Sequence, residues 1–294
     1  VTWEQKISAS KSEEEKSQIW RGLVEDGKLG YLALIRNLNN IIAANVSEDW
    51  IERYLVPQLT NADKIHKSLV FPYQIYTAYK NLKVREVNTV FALNKAFRTS
   101  VDNIPGLDGR SLVVLDVSSS MEDRVSGNSN MTIKEVCACY AAAIYLANPD
   151  SDFIKFGTEA KFCSYSRLNN VFDIIEKMQH NSGCGYGTNI VPVFLMLKKH
   201  YDRIFLFSDM QVMSDNRYYS KSVAAQDAMK EYFRDYGRTK IYSIDMGNYQ
   251  TQIANPIQGD MTLLTGFSDK VFKFISLMES GISMIDYINS IPIG

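Results

Sequence analysis

Apolar residues in the first hundred positions recur at steps of three and four. In WRGLVEDGKLGYLALIRNLNNII, Leu32, Ile35, Leu38 and Ile42 fall on one face of a helix. EDWIERYLVPQL, FPYQIYTAYKNL and EVNTVFALNKAFRTSV repeat the pattern, and Pro72 stands where a first helical turn tolerates proline. Short amphipathic helices parted by short polar breaks predict helical pairs stacked in the manner of HEAT arrays, although no clean period runs through them. The pattern changes at residues 102–110, where Pro105, Gly106 and Gly109 punctuate the chain.

Beyond Gly109 strand-like and helical runs alternate. Strands are expected at 112–117, 152–156, 160–165, 203–209 and 240–246. Helices are expected at 131–147, 169–179, 190–200, 219–234 and about 268–289. Ile204 to Phe207 is apolar on both faces, as in a central strand covered on both sides. KFGTEAKF places two short strands around a tight turn, so one edge strand is expected to be antiparallel. The fold class is α/β: a doubly wound, mostly parallel sheet over 106–294, preceded by an α-helical HEAT-like segment over 1–105.

Composition narrows the function classes. Hydrophobic residues make up 46% and charged residues 22% of the 294, the balance of a soluble globular chain. A net charge of -1 advertises neither nucleic acid nor membrane, and no apolar run approaches the length of a membrane span. Cys137, Cys139, Cys163 and Cys184 form no disulfide framework or zinc knuckle, so reduced thiols in a cytoplasmic protein are expected.

Catalytic signatures do not turn up. The glycine-rich GCGYGTN follows a helical run rather than a strand and has no Lys before a Ser or Thr, unlike a phosphate loop. A phosphatase-type Asp-x-Asp would need an acid at Ser118, and there is no Gly-x-Ser-x-Gly. No enzyme is expected.

Candidate chemistry begins where the apolar run Leu112 to Leu115 ends on Asp116, followed by Ser118 and Ser120. In a doubly wound sheet, ligands bind outside the carboxyl ends of the strands. Asp209 leaves another expected strand at the same edge, and GCGYGTN brings Thr188. On the first triplet alone, a turn or helix cap is the commoner reading. With Thr188 and Asp209 in order, five oxygen-bearing side chains converge on one crevice, and such a set suits Mg²⁺ or Mn²⁺.

A second candidate lies among the helices. From Lys64 to Arg98 there are seven Lys or Arg against one acid, Glu86. Lys64, His66, Lys67, Lys80, Lys83 and Arg85 are candidate phosphate contacts, with Tyr73, Tyr76 and Tyr79 interleaved at steps of three. An aromatic stripe at helical spacing is usually core, and the charges by themselves read equally well as a solvated face.

Asp-x-Ser-x-Ser, a later glycine-flanked Thr and a later strand-end Asp resemble the metal-ion-dependent adhesion site of von Willebrand factor A domains, over residues 110–294. The resemblance implies that Asp116, Ser118, Ser120, Thr188 and Asp209 surround a divalent ion, some of them through water. It also implies an open coordination position for an Asp or Glu of a partner protein. TWEQKIS, LIRNLNNI, KIHKSLVFPYQIYTAYKNL and LVVLDVSSSM, in that order, resemble the TROVE-module family of Ro ribonucleoproteins, as does the late ANPIQGDMTLLTGF. That resemblance implies binding of small noncoding or misfolded RNA and turns the basic stretch towards RNA. The helical part, about a hundred residues, is short for the family's full ring at a HEAT repeat of ~40 residues. The alternative is a metal-dependent protein-interaction or assembly component without RNA.

Overall fold

The computed structural model describes residues 2–104, 106–125, 130–209, 217–246, 261–265 and 270–281. The chain divides into two compact units, Val1–Asn103 and Ile104–Gly294.

The first unit is helical: α1 (Trp3–Ala9), α2 (Glu13–Glu25), α3 (Tyr31–Arg36), α4 (Leu38–Ile42), α5 (Glu48–Trp50), α6 (Val56–Leu59), α7 (Ala62–Ser68), α8 (Pro72–Lys80) and α9 (Val87–Val101). A π-helical turn, Ile51–Leu55, joins α5 to α6 just ahead of Pro57, which has no N–H to give the preceding turn. Side-chain caps begin several of these helices. Ser12 accepts from the Glu15 N–H, Asn61 from Lys64, and Glu86 from Asn88 and Thr89. Ile41, Leu55, Leu59, Ile65, Ile75, Leu93 and Phe97 form a fully buried core. Tyr31 reaches into it and donates its hydroxyl to the Leu59 carbonyl at 2.7 Å, while burial pushes the phenol well above its ordinary pKa.

The described residues of the second unit form a six-stranded sheet. Its strands are β1 (Ser111–Asp116), β2 (Asp152–Phe156), β3 (Ala160–Cys163), β4 (Arg203–Ser208), β5 (Lys240–Asp245) and β6 (Met261–Thr265), in the order β3-β2-β1-β4-β5-β6. Among these six described strands β2–β3 is the antiparallel pair, as the tight turn between them requires, and the other pairings are parallel. The order runs one way from β1 and then the other, so a crevice opens at the carboxyl ends of β1 and β4. Every residue of β1 and β4 is buried, and each fully buried Leu or Val there contributes roughly 1.5–3 kcal/mol.

Helices α10 (Ile133–Ala147), α11 (Val171–Gln179), α12 (Val191–Met196), α13 (Arg217–Tyr236) and α14 (Lys270–Glu279) complete the unit. Along α10 the small residues Cys137, Ala138, Cys139, Ala141 and Ala142 are all fully buried, which lets the helix pack closely on β1 and β4.

Four expectations need adjustment. The helix expected to reach 200 stops at Met196, because Leu197 turns extended and is itself buried. The strand expected over 160–165 ends at Cys163. Strand β6 has no counterpart among the expected strands; its residues are mostly half-exposed, so MTLLT lacks the apolar run of a covered strand. The last helix ends at Glu279, and Gly281 follows at φ +73°; the remainder of the expected 268–289 helix lies outside the described residues. No helix among the described residues is long and apolar enough to cross a membrane.

Candidate metal centre and basic helical surface

Strand β1 ends on Asp116 because the run that fills the sheet core ends there, and the carboxylate is fully buried. Its Oδ1 accepts the Ser118 N–H at 2.8 Å and its Oδ2 the Ser208 hydroxyl at 2.7 Å. The Ser118 and Ser120 hydroxyls lie 3.3 Å apart, Ser118 buried and Ser120 half-buried. Burial, with the neighbouring Asp209 carboxylate, pushes Asp116 up to about 6 against the pull of its Ser118 and Ser208 hydrogen bonds.

Asp209, also fully buried, follows β4 directly. Its N–H donates to Sδ of Met121 at 3.1 Å, in the short 3-10 turn Ser119–Glu122 that carries Ser120. That turn is tied to α10, where Lys134 pairs with Glu122 and the Ile133 N–H donates to the Asp123 carbonyl at 2.8 Å.

Thr188 arrives on the glycine-rich loop. The Ser119 N–H donates to the Tyr186 carbonyl at 3.0 Å, and Asn181 Nδ2 donates to the carbonyls of Val117 and Gly185 at 2.9 and 2.7 Å. On its other side the loop presses on the β2–β3 turn. A Cβ on Gly157 would lie 2.4 Å from the Gly185 carbonyl oxygen, so only glycine fits there. The loop is therefore held beside the end of β1, with Thr188 half-buried.

Among the described residues no group of three or more His, Cys, Asp or Glu is placed to hold a metal. The candidate donors are instead two buried carboxylates, Asp116 and Asp209, with the Ser118 and Ser120 hydroxyls beside them and Thr188 on the adjoining loop. Oxygen-only donors fit a hard divalent ion, and a cation would relieve the repulsion between Asp116 and Asp209.

Two residues of this region lie outside the sequence-derived set. Ser208 offers no signal beyond standing before Asp209. Asp245 repeats the pattern of Asp116, an apolar strand ending in a carboxylate, and pairs in register with Ser208. Burial, followed by the charges of Asp116, Asp209 and Asp245, raises the Cys137 thiol well above its usual value, so that thiol is inert at neutral pH.

The six basic candidates differ in environment. On α7, Lys67 is exposed, His66 lies 3.7 Å from Asp102, and the Lys64 ammonium turns inward to Gln58 and to the Gly27 carbonyl at 3.3 Å. After α8, Lys83 and Arg85 are exposed, whereas Lys80 is half-buried. Arg85 lies 4.7 Å from the Tyr79 ring centre and donates to its hydroxyl at 3.0 Å, so the guanidinium is pre-oriented. Tyr76 is core, while Tyr73 and Tyr79 are half-buried.

A mostly parallel sheet whose first strand ends in Asp-x-Ser-x-Ser, with Thr188 and Asp209 delivered to the same edge, defines a von Willebrand A-type domain, here preceded by a helical unit. The TROVE domain family matches residues 1–140 and the Ro60 vWA domain family residues 110–278. The chain belongs to the Ro family that combines these two parts.

RNA-binding protein RO60 of Caenorhabditis elegans is 23% identical over 284 residues, which take in 90% of this chain and 42% of that protein. The chain thus spans about two fifths of the length of this curated relative. The crystal structure of the Deinococcus radiodurans RO (RSR) protein superposes with a TM-score of 0.66 at 19% identity, covering 91% of this chain and 56% of that one.

Proposed function

We propose that this chain is an RNA-binding protein of Ro type, taking small noncoding or misfolded RNA on its helical unit and a divalent cation, Mg²⁺ or Mn²⁺, in its von Willebrand A domain. The observation that carries the reading is membership of the Ro family along nearly the whole chain, with a relative whose name states RNA binding. Exposed Lys67, Lys83 and Arg85 supply the cations that phosphate binding needs, and the Arg85–Tyr79 pair offers a flat cationic and aromatic platform. Lys64, directed inward, contributes through the fold of the helices more than through phosphate.

In the metal centre Asp116 and Asp209 supply the charge, Ser118, Ser120 and Thr188 the neutral oxygens, and Ser208 orients Asp116. The bound ion would supply a Lewis-acidic point that a carboxylate can complete. The reading assigns the chain no reaction. A cytoplasmic location is part of the proposal, supported by four free cysteines, three of them buried.

The metal-dependent protein-interaction reading has one observation in its favour. Tyr186 is 77% exposed on the loop that carries Thr188, an aromatic contact beside the crevice for a partner presenting Asp or Glu. Sequencing of RNA that co-purifies with the 294-residue protein tests the main reading. Enrichment of discrete small RNAs, released at high salt, is expected; a preparation free of RNA whose protein complexes dissolve on chelation would replace it with the second.

A further inference from the structure

Within the first unit a cavity of about 380 Å³ lies between α3, α4 and α8, in the size range of small-ligand pockets. Its wall includes the half-buried Tyr73, the amides of Asn39, Gln74 and Asn81, and the exposed Arg36; no carboxylate lines it. The amides are held in different ways. Asn39 uses both ends of its amide, donating to the Asn81 carbonyl at 2.8 Å and accepting the Lys83 N–H at 2.9 Å, which fixes the turn after α8 against α4. Gln74 Oε1 accepts the Phe71 N–H at 2.9 Å and caps α8, so its Nε2 is the end left to donate. Asn81 is exposed and presents both a donor and an acceptor.

An aromatic ring beside amides of both polarities is what an unpaired base needs: a surface to stack on and partners for its edge. Arg36 in the wall and exposed Lys83, two residues past Asn81, supply cations for the adjoining phosphates. We propose that this cavity takes one unpaired base of a single-stranded RNA, stacked on Tyr73 and read at its edge by Gln74 Nε2 and the Asn81 amide. The proposal rests on the RNA-binding reading and locates a subsite for it that the basic stretch alone does not indicate.

The test measures binding of fluorescent single-stranded homopolymer RNA, and of an abasic strand of equal length, by anisotropy with the whole chain at fixed salt. Tyr73→Leu keeps apolar bulk and removes the stacking surface. Gln74→Glu keeps Oε1 for the Phe71 N–H while removing the Nε2 donors, so the α8 cap survives in the second variant. Both are expected to bind base-bearing RNA roughly fivefold or more weakly. For Tyr73→Leu the salt dependence should be unchanged and the abasic strand bound as the parent binds it. A parent that binds RNA, with both variants equal to it, overturns the subsite alone. A parent that binds no single-stranded RNA overturns the subsite and the RNA-binding reading together. Tyr73-dependent binding of free nucleoside monophosphate, without binding of RNA, overturns the RNA assignment in favour of a mononucleotide pocket.

Discussion

Ser208, the last residue of β4, donates its hydroxyl to Oδ2 of Asp116, the last residue of β1, at 2.7 Å. The two stand 92 positions apart in the chain and both are fully buried. The bond fixes the orientation of the carboxylate at the crevice. Ser208→Ala leaves one acceptor lobe of Asp116 without its donor and should cost about 1–3 kcal/mol. Urea denaturation of parent and variant checks this, and the same variant should bind Mn²⁺ less tightly because only the Ser118 N–H then holds the carboxylate.

The divalent site proposed at Asp116 and Asp209 has a thermal readout. A ligand that binds only the folded state raises Tm by mass action. Mg²⁺ or Mn²⁺ is therefore expected to raise the Tm of the parent and leave that of Asp116→Ala unchanged, with calorimetry showing the loss of ion binding directly. Equal divalent affinity in the two proteins would sink the metal assignment.

The RNA binding proposed for Lys67, Lys83 and Arg85 would carry a characteristic salt signature. Removing one cation that pairs with a phosphate should reduce the log–log slope of affinity against salt by about 0.7 for a single strand. The double variant Lys67→Ala, Lys83→Ala should therefore bind more weakly at low salt and show a shallower slope. Arg85→Lys tests the platform separately, since lysine keeps the charge but not the planar stacking on Tyr79.

Glu279 should contribute to acid sensitivity. Burial raises its pKa, but Arg203 at 3.1 Å, the Tyr242 hydroxyl at 2.7 Å and Lys240 at 3.5 Å outweigh it, and the net shift is downward from 4.5. A depressed folded value means that the stabilisation is complete above the unfolded pKa and is lost as pH falls through the folded one. Stability of the parent should drop below pH about 4.5 more steeply than that of Glu279→Gln. At neutral pH, Glu279→Ala leaves the buried Arg203 charge without this carboxylate, held by the Ser111 hydroxyl and the Asp108 carbonyl, and should cost about 3 kcal/mol, measurable by denaturant titration.

Leu69 closes α7 in the left-handed conformation at φ +50° with its side chain 68% exposed. A residue with a Cβ is disfavoured there by roughly 1–2 kcal/mol, and little burial offsets it. Leu69→Gly should raise stability by about 0.5–1 kcal/mol after the larger unfolded-state entropy of glycine is subtracted. Thermal denaturation at neutral pH is the check, and a loss of stability would show that Leu69 makes an apolar contact worth more than its backbone strain.

Much of the architecture was legible along the chain. Steps of three and four marked the helices, continuous apolar runs marked β1 and β4, and KFGTEAKF marked the antiparallel pairing of β2 with β3, because period and turn length are local properties. The strand-end aspartates Asp116 and Asp209 were legible for the same reason: a carboxylate at the end of a core strand interrupts a strong pattern. The six basic positions were legible as charge, but the sequence could not show that Lys64 turns inward while Lys67 and Lys83 face water.

Tertiary structure decided the rest. Strand order, the approach of Met121 to Asp209 and the docking of the Tyr186 loop on Ser119 join segments far apart in sequence, and no periodicity encodes which distant strand ends become neighbours. Strand β6 and the early end of α12 depend likewise on pairing and burial that only the assembled sheet provides. From its sequence the chain determined which residues could face a core and which carried charge or oxygen. Packing alone brought Asp116, Ser208 and Asp209 to one crevice, because hydrogen bonds across parallel strands form only after the crossovers between them have folded.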